Sequence, residues 1–563
     1  MIFVAKNVKV PNVDIPYLKK IVKAADEKPR LTQRPLSAAV ADTLIAFNRP
    51  TQAVEQPDVA TIEVHDTVSN VAWAYEKLRQ AIDYQDEHLL RKNAIERILK
   101  RRLVAGATAE HVAEPLIMEL IRGRYLPNKT LPVTVINDAA AVINNYIHLW
   151  TQVPTLARPE ENDRLFSWYL GIMAVELNEI LAPSERDEAL LRLMYRVTYQ
   201  DITFAEEHLS EEEKNTQLYI AIHRALLKSD VNIIRYHLFM REHPEWHHQS
   251  PETISRLGQS FPHIRENIEA ELRHPAGELL QRIMKKYTII FLIFSDLAGQ
   301  YGADAVQQMT FQDQLVEDVK KAYINRRKII LRKIARSIIR SIIYVFLTKM
   351  LLLVLIEVPV ERIVYGHVLS NYVPLIINVA FPPFLLAFLG ISIRPAGKKN
   401  ELAVIEKVEA LVYRGDERHV LVKPRKPITR SSLLTGLFRL TYALTFFLVF
   451  GGIIWGLTKL NFTPVSTVIF LLFLTIVSFF GIRVRLLSKE LLVVDQRENL
   501  FTVLFDFLTV PILQVGRWIS LRVPKINIMI FFLDVIIEAP FKAFLEATEG
   551  FFGFLKEKRE EIY

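Results

Sequence analysis

The chain contains no cysteine, which excludes disulfides, thiolate zinc sites, iron–sulfur clusters and cysteine nucleophiles. Glycine is nearly as uninformative: 19 of 563 residues is about half the usual share. Glycine-rich phosphate loops and turn-dense β architectures are therefore unexpected. A Gly-x-Ser-x-Gly elbow, a His-Glu-x-x-His zinc motif and a dinucleotide fingerprint are all missing from the sequence. Strand-like alternation is confined to Thr61–His65 and His419–Lys423, so helix is the default. What remains is 50% hydrophobic and 23% charged, a balance that excludes wholesale disorder and suits a globular part joined to a membrane part.

Charge divides the chain in two. Residues 1–310 hold 36 Lys and Arg against 41 Asp and Glu, whereas residues 311–563 hold 34 against 21. The basic residues of the second half flank apolar runs, which is not the aromatic-interleaved basic surface expected of a nucleic-acid-binding protein. From Lys320 to Arg340, nine of 21 residues are basic and none is acidic. With Ile324, Ile329, Ile330, Leu331, Ile334 and Ile338 between them, residues 311–340 read as a basic amphipathic helix lying on an anionic leaflet. Arg326, Arg327, Lys328, Arg332, Lys333, Arg336 and Arg340 are the expected headgroup contacts.

Four runs are long enough to cross about 30 Å of hydrocarbon: Ser341 to Val358, Tyr372 to Ile393, Thr441 to Leu457 and Pro464 to Ile482. Lys349 interrupts the first. Pro374, Pro382 and Pro383 predict a kink in the second. The runs pair as two hairpins, residues 341–393 and 441–482, joined by a basic loop at 394–440. Basic residues gather before Ser341, between Arg394 and Arg430, and at Arg483, Arg485 and Lys489, whereas the links at 359–371 and after Leu457 hold only Arg362 and Lys459. By the positive-inside rule, both termini face the cytoplasm, in a plasma membrane or, in a prokaryote, an inner membrane. The N-terminal segment has no signal-peptide character.

Beyond Ile482 the runs shorten. Phe501–Leu513 and Ile526–Ala539 each carry a mid-run carboxylate, Asp506 or Asp534, and residues 483–563 are expected to be amphipathic, interfacial or re-entrant. Two more short, tilted spans are the alternative. Leu355-Ile356-Glu357-Val358-Pro359 is echoed by Ile536-Ile537-Glu538-Ala539-Pro540, an apolar helix ended by glutamate and proline, but five positions are too few to define a repeat.

Ahead of the membrane portion, residues 1–60 are proline-punctuated and read as a loop-rich arm, and residues 61–310 as a soluble α-helical domain. Helices are expected from Asp66 to Leu103 and near 108–124, 136–152, 161–182, 185–200, 211–228, 230–241, 262–273, 276–297 and 312–340. Ser184 with Asp187, and Ser210 with Glu213, have the spacing of capping boxes.

The chemistry-bearing candidates are few. Glu245-Trp-His-His248 and Glu271-Leu-Arg-His274 have Glu-x-x-His spacing, but turn and helix-end context assigns them, with His243 and His247, to surface or capping roles and not to a metal. Between Gly390 and Gly397 lie six residues where a phosphate loop needs four, so that stretch is a basic membrane exit. Asn128 and Asn461 begin glycosylation-like triplets that the topology leaves unused. The ionisable residues in or near apolar runs, Lys349, Glu357, Asp506, Asp534 and Glu538, stand out. Lys349 lies about 13 Å of helix beyond Arg340, too deep to reach the surface easily. It needs a partner, and Asp506, Asp534, Glu538 or backbone carbonyls are the candidates.

The expectation is a mainly α protein, with a cytosolic multi-helix N-terminal domain, four spans in two hairpins and amphipathic C-terminal helices. Its function reads as that of a non-enzymatic membrane scaffold or complex subunit, without cofactor or metal, partnered by the bilayer and by a protein or a second copy. The alternative is a small-solute or ion transporter using Lys349 and the proline-rich second span.

Overall fold

The structure is a computed structural model that describes residues 33–48, 60–64, 66–82, 89–104, 106–204, 210–248, 250–365, 372–391, 397–414, 420–422, 432–493 and 500–522, with scattered positions from 540 to 558. It is mainly helical. The first half supplies α1 (Ala38–Phe47), α2 (Asp66–Ile82), α3 (Leu90–Val104), α4 (Ala109–Arg122), α5 (Thr134–Gln152), α6 (Pro159–Leu181), α7 (Glu185–Asp201), α8 (Glu211–Ile222), α9 (Val231–Glu242), α10 (Pro251–Leu272) and α11 (Pro275–Tyr301). The second half supplies α12 (Gln312–Leu352), α13 (Val358–Tyr365), α14 (Tyr372–Ile391), α15 (Lys398–Arg414), α16 (Ser432–Lys459), α17 (Pro464–Ser488) and α18 (Leu500–Arg522). β1 (Ile202–Phe204) pairs in parallel with β2 (Val420–Val422), so the second alternating stretch does form a strand. The first contributes an isolated bridge from Thr61 to Pro132.

Side-chain caps set the helix starts. Ser210 makes the full capping box with Glu213, accepting from its backbone N–H while the Glu213 carboxylate accepts from that of Ser210. Ser184 does less, since its hydroxyl bonds the Asp187 carboxylate and caps no backbone group. The helix expected at 262–273 begins eleven residues earlier. Ser250 caps the Thr253 N–H and Pro251 fills the first helical position, so a dipeptide that resembles a turn is a helix start.

Besides a small apolar cluster in the bundle around Phe462, Phe470 and Leu474, the described residues form two larger cores. The first gathers Tyr146 and Leu149 of α5, Trp168, Tyr169 and Leu170 of α6, Phe239 of α9 and Phe261 of α10, with Trp246 buried between them. The second is not confined to the first half. Leu315, Val319 and Tyr323 of α12, Val404, Val408 and Leu411 of α15, and Leu491 and Val493 beyond α17 are buried with Phe294 and Leu297 of α11 and Leu44 of α1. Asn400 ties three of these pieces together: its amide donates to the Tyr323 hydroxyl at 3.0 Å and the Leu491 carbonyl at 2.7 Å, and its oxygen accepts from the Val493 N–H at 2.8 Å.

Among the described residues, five helical stretches are long and apolar enough to cross a membrane: Pro275–Gln308, Gln312–Val360, Val373–Ile391, Gly436–Lys459 and Pro464–Arg485. The last four coincide with the expected spans. The first is α11, whose Ile289, Ile290, Phe291, Ile293 and Phe294 are covered by the second core. Continuity of α12 corrects the surface-lying juxtamembrane helix. Its 41 residues run about 60 Å without interruption from the second core into the apolar bundle, and such a helix cannot turn to lie in the membrane plane at Arg340. The helix also outlasts Pro359: a π turn at Leu353–Glu357, closed by Val358 N–H bonding the Leu353 carbonyl, leads into α13 and so to Tyr365. Likewise α14 stays helical through Pro382 and Pro383.

The bundle departs from two separate hairpins. Helices α12 and α14 pack together and both meet α17, whereas α16 and α17, though joined by a tight link with Asn461 in the left-handed region, make little contact beyond it. Helix α18 packs between them, against α17 along most of its contact and also against α16. Gly516 makes this possible. A Cβ there would stand 2.2 Å from the Thr475 carbonyl oxygen, so the two backbones touch halfway along α17. The run expected at Phe501–Leu513 therefore extends to Arg522 and packs at the depth of Thr475 instead of lying along the surface.

Candidate functional site in the apolar bundle

A polar cluster sits where α12, α14 and α17 converge. Lys349 is completely buried, and Glu357 is only 3% exposed. Eight residues of regular α-helix would leave these two side chains roughly 80° apart; the wider π turn between them takes up part of that offset. Glu357 Oε2 comes to 3.8 Å from Lys349 Nζ, an ion pair longer than a hydrogen bond. On the other side of the carboxylate, Oε1 accepts from Asn378 Nδ2 of α14 at 2.7 Å and from the Ser466 hydroxyl near the start of α17. Phe473, two turns further along α17, presents its ring 5.0 Å from the Lys349 ammonium. Three side chains from three helices thus surround one carboxylate, and a fourth covers its counter-ion.

Electrostatics explains the grouping. A lone ammonium inside a bilayer costs at least a few kcal/mol even on the gentler insertion scale. A carboxylate within 4 Å, two hydrogen bonds and an aromatic face offset that cost, at the expense of holding three helices in fixed register. The cluster is not fully satisfied. Lys349 Nζ, Glu357 Oε2 and Asn378 Oδ1 have no hydrogen-bond partner among the described residues. One donor group and two acceptors are therefore left over within the cluster, groups that water or a small polar species could satisfy.

Among the described residues, Lys349 pairs with Glu357. Asp506 lies on α18, but its side chain falls outside the described residues, as do Asp534 and Glu538. Asn378 and Ser466 escaped the sequence reading, which followed charge. A signal existed: Asn378 is the one amide within the apolar helix 372–391.

The basic stretch divides. Arg326 is no headgroup contact, because its guanidinium bonds Asp296 at 2.5 and 2.8 Å and the Leu292 carbonyl at 3.3 Å, fastening α12 to α11. Lys328, Arg332, Lys333, Arg336 and Arg340 are exposed along the stem of α12, and Arg327 is half-buried. The Glu-x-x-His pairs are structural. His274 caps α11 by accepting from the Ala276 N–H, Glu271 accepts from Gln217 at 2.7 Å, and Glu245 pairs with Arg256 at 3.2 Å. The side chains of His247 and His248 lie outside the described residues. Among the described residues, no three His, Asp or Glu side chains converge as a metal would require.

The helical domain also buries Glu176 and His223. Burial raises the Glu176 carboxyl, which accepts from the Tyr146 hydroxyl at 2.7 Å and the Trp246 indole at 3.0 Å. Burial lowers His223 well below its ordinary 6.5, helped by the His237 ring 4.9 Å away.

No protein family, curated protein or solved structure matches this chain.

Proposed function

We propose that the protein is an integral membrane scaffold, in which a cytosolic helical domain is built onto a bundle of four crossing helices and offered to a partner protein or a second copy. One observation carries this reading: the second core takes residues from before the first apolar crossing, between the second and third, and after the fourth. A domain that shares its core with every segment on one side of the bundle is a rigid extension of it. Flexible tethering is thereby excluded.

The same contacts support the orientation. Helix α15, Leu491 and Val493 all reach the helical domain, Lys228 pairs with Glu490 at 2.8 Å, and the Phe541 ring of the tail stands 4.8 Å from Tyr75. Two out-and-back crossings leave α15, Glu490, Leu491 and Val493 on one side, and the basic residues of those segments favour the cytoplasmic side. In this reading the Lys349 cluster is a lock that fixes α12, α14 and α17, and no chemistry is assigned to it.

A second reading, solute or ion transport, is favoured by the three unpartnered polar atoms of the cluster. Tagged full-length protein, extracted in mild detergent, cross-linked and analysed by mass spectrometry, tests the first. Retention of a stoichiometric partner or a defined homo-oligomer is the expected result. Flux through proteoliposomes that is abolished in Lys349→Met while the fold is retained would overturn it in favour of transport.

A further inference from the structure

The stem of α12 carries a second feature, where it leaves the helical domain and enters the apolar bundle. A groove of about 310 Å³ runs between α12 and the end of α14, lined by Leu331, Ile334, Ala335, Ile338 and Ile342 on one wall and Ala387, Gly390 and Ile391 on the other. Its walls are apolar throughout. The crossing is close because Gly390 has no side chain: a Cβ there would stand 2.6 Å from Ile338 Cδ1. The groove therefore has a fixed floor, formed where the two helices touch.

One edge is cationic. Lys328, Arg332 and Arg336 each stand three positions before a groove-lining residue, Leu331, Ala335 and Ile339, and side chains three apart on a helix are neighbours. All three are exposed, and none has an ion pair among the described residues. Lys333 is equally basic but lies on the far side of the helix, with no groove-lining residue three or four positions away. The basic edge therefore belongs to the groove, beyond the general charge of the stem. Arg326, one turn nearer the domain, is already committed to Asp296.

We propose that this groove is a binding site for one anionic glycerophospholipid of the inner leaflet, its acyl chain lying against Ile338 and Ile342 and its phosphate held by Lys328, Arg332 and Arg336. An apolar slot ending in a row of free cations matches the two ends of such a molecule, and the slot opens at the level where the stem passes from basic to wholly apolar sequence. A soluble anionic ligand would leave the slot unfilled, and a zwitterionic lipid would leave the cations uncompensated. The proposal rests on the reading that the bundle lies in a membrane, but not on the scaffold assignment.

Native mass spectrometry of the full chain in detergent, titrated with phosphatidylglycerol or with phosphatidylcholine of the same chains, tests it. A single tightly held phosphatidylglycerol is expected, with phosphatidylcholine bound far more weakly. Lys328→Gln, Arg332→Gln and Arg336→Gln together should weaken phosphatidylglycerol roughly 100-fold, on the scale of surface cations acting on an anionic leaflet. Lys333→Gln should leave it within about twofold, because that cation faces away. Ala335→Phe should displace the lipid while keeping every charge, and unchanged elution in size-exclusion chromatography and an unchanged thermal midpoint show that each variant is folded. Equal loss in the triple variant and in Lys333→Gln, or equal binding of the two lipids, would overturn the site and leave only diffuse attraction to the leaflet. Recovery of the wild-type chain without detergent would instead refute the membrane reading beneath it.

Discussion

Asn378 donates its side-chain amide to the carboxylate of Glu357 over 2.7 Å, linking α14 to the π turn that follows α12. Because the same carboxylate faces Lys349, these residues form one electrostatic unit, and their substitutions should not add. Lys349→Met alone leaves Glu357 a buried anion without its counter-ion and should destabilise the bundle by about 3–5 kcal/mol. Lys349→Met with Glu357→Gln removes both charges and should cost less than either change alone. Thermal unfolding in detergent micelles measures the difference. A double variant as unstable as the sum of the singles would separate the two residues.

Contact between α17 and α18 depends on the missing side chain at Gly516. Gly516→Ala should force the helices apart, at a cost of about 1–3 kcal/mol or more, since the obstructing atom is backbone and not a movable side chain. Gly452→Ala, where nothing lies within 4 Å, should be neutral or slightly stabilising because it relieves glycine's helical penalty. Monodispersity after extraction reads both. Similar behaviour of the two variants would remove α18 from the bundle.

His223 gives the helical domain an acid limit. Its Nδ1 meets the Ser229 hydroxyl at 3.1 Å, and its Nε2 is buried without a partner among the described residues. The folded state holds it neutral, whereas the unfolded chain takes up a proton near 6.5. The unfolded state therefore binds more protons below that pH, so stability is complete above it and falls as pH drops, with a limiting slope of about 1.4 kcal/mol per pH unit. Thermal midpoints recorded downward from pH 7.5, roughly one unit above the unfolded value, should show this fall in the wild type and a shallower one in His223→Gln. Parallel curves would exclude His223 as the source.

Asn400 bridges α12, α15 and the segment after α17. Asn400→Ala strands the Leu491 carbonyl and the Val493 N–H inside the second core and should cost roughly 2–3 kcal/mol. Hydrogen exchange should quicken in α15 and in residues 488–493 before it does in the first core. Uniform quickening would mean that the two cores unfold together.

Much of the architecture was legible because each apolar crossing is long enough to identify itself without reference to its neighbours. The four expected runs reappear as helices for that reason. Residues 501–522 were harder: Asp506 and Pro511 cut the run, and the helix owes its length to packing on α17, a contact encoded in one glycine far from Thr475 in sequence. The ion pair was hidden differently. Lys349 and Glu357 stand eight apart, a spacing that points to different faces of an α-helix, and nothing in Leu353–Glu357 announces a π turn. The helix start at Ser250-Pro251 was hidden because serine and proline serve turns and helix starts alike, and only the following apolar residues Ile254, Leu257 and Phe261 distinguish them.

The uninterrupted helix from Gln312 to Leu352 has a mechanical corollary. With Tyr323 seated in the second core and Lys349 in the polar cluster of the bundle, neither end can rotate about the shared axis unless the opposite end yields. Torque applied by anything gripping the helical domain is therefore delivered, some 40 Å away at 1.5 Å per residue, to the ammonium of Lys349 and the ring of Phe473 beside it.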